Sequence, residues 1–101
     1  MITVQEKTID LTNINPEDLF IKKADGGTLY IQVEGEASVS VSGKNSELST
    51  YVSLPVVNMS TFAKANSISA AGFYMVVIGG LDQIQMEASG TGKMHWKVMG
   101  D

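Results

Sequence analysis

The sequence predicts an all-β chain: a single small β-sandwich, jelly-roll-like, of about seven or eight antiparallel strands. Three observations lead there. Apolar and polar residues alternate with period two through much of the 101 residues, the pattern of half-buried strands. Glycine-containing breaks at Asp25-Gly26-Gly27, Gly43-Lys44-Asn45-Ser46, Gly79-Gly80 and Gly90-Thr91-Gly92 separate the alternating stretches, as turns do. Helix signals are scarce and short.

The elements follow in chain order. Residues 2–9 are rich in β-branched side chains but change their apolar phase midway, which predicts an edge strand or a bulge. At Asn15-Pro16-Glu17-Asp18 an N-cap residue precedes a proline and two acids, the start of a helical turn. Only Leu19, Phe20 and Ile21 follow before Lys22, Lys23 and the glycines, so at most one short turn forms near residues 16–20. From 28 to 42 the odd positions Leu29, Ile31, Val33, Ala37, Val39 and Val41 are apolar and the even ones polar. The phase is kept across Gly35. A straight strand of that length would reach about 50 Å, too long for so small a domain, so it bends or changes sheets at Gly35, where an inward side chain is missing. Residues 48–57 alternate through Val52, Leu54 and Val56, with Pro55 marking an edge or a strand end. Residues 60–66 are a second, badly capped candidate for a helical turn. Residues 72–78 are a nearly continuous apolar run. Residues 83–88 and 93–99 alternate through Ile84, Met86, Met94, Trp96 and Val98. The domain expectation is one unit over 1–101, with 1–26 an N-terminal strand or arm and turn, and 27–99 the sandwich core.

Composition narrows function. Seven basic against eleven acidic residues leave a net charge of −4, unlike a nucleic-acid binder or a polybasic membrane-surface protein. No signal peptide and no membrane span are expected. The chain has no cysteine, which excludes disulfides, thiolate metal sites and cysteine nucleophiles. His95 is the single histidine; it shares an outward strand face with Lys93 and Lys97. Glu34 and Glu36 read as solvated carboxylates that also deter edge pairing. Catalytic residues, metal ligands and cofactors are therefore all expected to be none, and the chain is expected not to be an enzyme.

Two sets of residues remain. Tyr30, Tyr51 and Trp96 are candidates for stacking on sugar rings, which would make the chain a carbohydrate-binding or adhesion module. The strand at 72–78 is apolar on both faces, whereas a free-standing sandwich keeps one face polar. Phe73, Met75 and Val77 are assigned to the core, Met86 and Met94 with them. Tyr74, Val76 and Ile78 are then the candidate oligomer interface, since exposed apolar patches mark contacts. Period two sets the alternation but not its direction.

Three blocks carry a resemblance. The first is the bent stretch 27–41. The second runs Ile68-x-x-x-Gly72-Phe73-Tyr74-x-Val76-x-x-x-Gly80-Leu81. The third joins Ile84 and Met86 to a closing stretch through Gly90, Gly92, Trp96 and Val98. Together, over about residues 27–98, they resemble the small β-sandwich structural proteins of tailed bacteriophages and prophages, found in head-decoration, head-fibre and related virion components. The polar face of Lys93, His95 and Lys97 departs from that pattern, which more often has small residues there. The resemblance implies a non-enzymatic virion protein, folded in the host cytoplasm, that decorates or cements a capsid or forms part of a head fibre. Its implied partners are other copies of itself, a trimer before a dimer, and other virion proteins. Host-surface glycans would be partners under the carbohydrate reading.

Overall fold

The ten strands are β1 (Ile2–Asp10), β2 (Phe20–Ile21), β3 (Thr28–Glu34), β4 (Ala37–Lys44), β5 (Val52–Leu54), β6 (Val56–Asn58), β7 (Lys64–Ala65), β8 (Gly72–Val77), β9 (Gln83–Gly90) and β10 (Lys93–Gly100). They come from a computed structural model that describes residues 2–100. Every pairing between them is antiparallel. One sheet has the order β1-β10-β3-β8-β6-β7 and the other β2-β9-β4-β5. With the short β6–β7 hairpin set aside, eight strands remain in the order of a jelly roll, two interleaved Greek keys. The all-β sandwich expectation is met. The strand count rises to ten because β6 and β7 form an added hairpin.

Among the described residues the one helical element is a 3-10 turn at Pro16–Leu19, capped by the Asn15 side chain, which accepts from the Glu17 N–H. β1 is an edge strand, and its register against β10 shifts between Thr3 and Gln5. This bulge accounts for the phase change in the sequence. Ile9 is the one buried side chain in β1; the main-chain ladder to β10 holds most of the strand. Residues 60–66 do not form a helical turn: the chain closes the β6–β7 hairpin, with Phe62 N–H donating to the Asn58 carbonyl at 2.7 Å.

The stretch 28–42 is two strands in two different sheets, β3 and β4, with the crossing at Gly35 and Glu36. Gly35 is exposed and does not leave a vacancy in the core. It is needed for another reason. Its φ is +74°, and a Cβ there would stand 3.1 Å from the Gly92 Cα. Alternation survives the corner because two residues intervene, so Val33 and Ala37 both point inward. Gly35→Val is expected to cost about 1–3 kcal/mol through this backbone conformation, read as a lower denaturation midpoint; no change would contradict the left-handed corner. A second crossing lies at Pro55, which divides 48–57 into β5 at the edge of the four-stranded sheet and β6 in the six-stranded one.

The core fills the space between the sheets. Leu29, Ile31 and Val33 from β3 meet Val39 and Val41 from β4, Ile84 and Met86 from β9, and Met94, Trp96 and Val98 from β10, all buried. No polar or charged residue is buried among those described.

On β8 and one residue past its end the inward side chains are Tyr74, Val76 and Ile78, which are 6%, 0% and 0% exposed. This overturns their assignment to an oligomer interface. Val76 pairs with Leu29 and Tyr74 with Ile31, and opposed residues share a face, so the β3 register forces these side chains into the core. The Tyr74 hydroxyl is satisfied there by donating to the Ala70 carbonyl at 2.9 Å. The outward face is Phe73, Met75 and Val77, with Phe73 44% and Val77 66% exposed.

Candidate binding face of the six-stranded sheet

The two sheets differ in what they show to water. On the four-stranded sheet β4 presents Ser38, Ser40 and Ser42, and β9 presents Gln83, Gln85, Glu87 and Ser89, a polar surface. The six-stranded sheet is graded from charged to apolar. Glu6, Thr8 and Asp10 of β1 lie opposite Lys97, His95 and Lys93 of β10. Those lie opposite Tyr30, Gln32 and Glu34 of β3. Then come Phe73 and Met75 of β8, with Val57 of β6 opposite Met75.

A groove of about 550 Å³ runs across this face, lined by Tyr30, Gln32, Met59, Phe73, His95, Lys97 and Met99. Tyr30 and Phe73 stack with centroids 5.7 Å apart and planes 9° from parallel, an aromatic platform on adjacent strands. The opposite wall is polar, with Lys97 and His95. Lys97 Nζ stands 3.8 Å from a Glu6 carboxylate oxygen, a solvent-exposed pair of little energy. The His95 Nδ1 is 2.6 Å from the Thr8 hydroxyl, with which it shares a hydrogen bond. His95 thus sits on the outward face with the two lysines, as its strand position predicts, and helps line the groove. His95→Ala removes one exposed hydrogen bond and is expected to leave stability within about 1 kcal/mol of the parent; a larger loss in urea denaturation would give the imidazole a structural role. Among the described residues no group of three His, Asp or Glu side chains converges as a metal site would.

The three sugar-stacking candidates are not brought together. Trp96 is only 4% exposed and faces the core, its indole N–H donating to the Asp18 carbonyl at 2.8 Å. It pins the 3-10 turn over the sandwich and is withdrawn as a ligand platform, because β10's inward positions include 96. Tyr30 stands on the six-stranded sheet, with one ring face taken by Phe73. Tyr51 lies at the edge of the other sheet, where its ring meets Phe20 edge-on at 6.3 Å and Lys44 Nζ lies 5.5 Å from its centroid. Burial pushes the Tyr51 phenol above its usual range.

Phe62 escaped the sequence reading. At the tip of the β6–β7 hairpin it is 73% exposed and has φ +59°. Asn58, Ser60 and Thr61 mark a turn there, but no glycine or asparagine stands at 62 itself to signal the left-handed conformation.

No protein-family model matches the chain, and no curated protein matches it. Among solved structures it is similar to the SPBc2 prophage-derived protein YomS, with a TM-score of 0.60, 12% identity and 98% of each chain covered. At that identity the likeness is one of fold. It spans the whole sandwich.

Proposed function

We propose that the chain is a non-enzymatic structural protein of a tailed-phage particle, a capsid decoration or head-fibre component that works by binding. It associates with copies of itself and with other virion proteins through the outer face of the six-stranded sheet. The observation that carries this reading is the apolar half of that face, where Phe73 and Val77 are exposed and Met75, Tyr30 and Met59 are half-buried. Contiguous apolar surface of this kind is costly to leave in water and marks a contact. The sandwich shared with a prophage-derived protein supports the phage assignment.

Two measurements test it. Particles purified from a lysogen carrying the gene should contain the chain; its absence from them would remove the virion assignment. The purified protein should scatter light as a homo-oligomer at micromolar concentration. Phe73→Asp, on an exposed strand position, should return it to a folded monomer of 10.8 kDa. A wild-type protein that is monomeric throughout would sink the self-association reading.

A further inference from the structure

We infer that the groove on the six-stranded sheet is filled by Phe62 of a second copy of this chain, the two copies exchanging Phe62 across a two-fold axis. The inference rests on the self-association reading and names the residue that makes the contact. Phe62 is unusual in two independent ways. It is the most exposed of the large hydrophobic side chains, at 73%, and it is the sole non-glycine residue with positive φ among those described. A bulky residue in the left-handed region is strained. Such strain persists where the surroundings over-determine it, and here they do. Phe62 N–H donates to the Asn58 carbonyl and Asn58 N–H to the Ala63 carbonyl, at 2.7 and 2.9 Å. The Asn58 and Thr61 side chains accept from Ser60 and Ala63 N–H. The hairpin therefore holds an aromatic ring in water on a rigid tip, and nothing within the chain repays it.

The groove supplies what that ring lacks. Its platform is the Tyr30–Phe73 stack, and Met59 and Met99 complete an adaptable apolar wall. Aromatic rings meet such surfaces edge-on or offset, and thioethers pack well against them. Met59 belongs to the same hairpin as Phe62, so knob and groove adjoin on one sheet. A two-fold axis then makes the contact twice and closes at a dimer, not at the trimer implied by the phage resemblance. Phe62, Val77 and Phe73, at 73%, 66% and 44% exposure, are the apolar surface that such a pair covers.

The test is Phe62→Gly. Glycine takes φ +59° without strain, so the variant should unfold at no lower temperature than wild type under conditions where both are monomeric. A structural role for the ring predicts the opposite. By sedimentation at about 100 µM, wild type should be a dimer and Phe62→Gly a monomer, with dimerisation weakened at least about tenfold, equivalent to roughly 1.4 kcal/mol. Phe73→Asp should also be monomeric. Mixing the two variants should restore a 1:1 pair, because one intact knob then meets one intact groove. A wild type that associates while Phe62→Gly associates equally, or a mixture that stays monomeric, overturns the exchange and leaves self-association standing. A monomeric wild type overturns both.

Discussion

Gly90→Ala is expected to remove about 3–5 kcal/mol of stability, from a total of about 5–15 kcal/mol for a domain of this size. Gly90 closes β9 opposite Ala37, at the corner where β3 turns into β4. Its φ is +133°, and an added Cβ would run into the Glu36 carbonyl oxygen and stand 2.8 Å from the Ala37 Cα. Both obstacles are backbone and cannot swing aside. The Glu36 carbonyl is committed as well, since it accepts from the N–H groups of Thr91 and Gly92 at 3.0 and 2.9 Å. Gly92, whose own Cβ would meet the Glu34 carbonyl, also accepts from Leu11 N–H. Relief at Gly90 thus requires the β9–β10 turn to leave the β3–β4 corner. Thermal unfolding followed by circular dichroism should show a midpoint lowered by about 15–30 °C. A loss below about 1 kcal/mol would mean that the two turns do not pack as described.

The second large effect separates two adjacent residues. Val76→Asp should prevent folding, because Val76 is fully buried and an ionised carboxylate there has no partner, a cost of several kcal/mol. Val77→Asp, one position along the same strand, should fold with stability within about 1 kcal/mol of wild type, since Val77 is 66% exposed. It should also weaken self-association. Dispersion of amide resonances distinguishes the two variants directly. A folded Val76→Asp protein would restore the opposite assignment of the β8 faces.

Those two residues also show where the sequence stops being informative. Alternation marks 83–88 and 93–99 as β9 and β10 and 28–42 as a single bent stretch, which the structure divides into β3 and β4; the inward positions of Met86, Met94 and Val98 follow from it. The proline and acids after Asn15 located the 3-10 turn, and the phase change in 2–9 located the β1 bulge. These signals are local: each depends on residues within one element, so the chain's own pattern displays them. At 72–78 the pattern is apolar on both sides, and no local signal chooses a face. The choice comes from pairing with β3, about forty residues earlier in the chain, whose inward face is unambiguous.

The candidate site was legible only in part for the same reason. His95, Lys93 and Lys97 were placed on one outward face by alternation alone. The groove that includes His95 and Lys97 needs Tyr30 from β3, Phe73 from β8 and Met59 from the β6–β7 hairpin, which only the order of strands in the sheet brings together. Trp96 looked available as an aromatic on a strand, but its face is decided by the sheet beneath it. Composition and local pattern specify an acidic, cysteine-free β-sandwich with its breaks at glycine and proline. Which apolar face is hidden, which aromatics meet, and that Phe62 stands in water are set by the packing of the sheets, because those properties belong to contacts between segments distant in the chain.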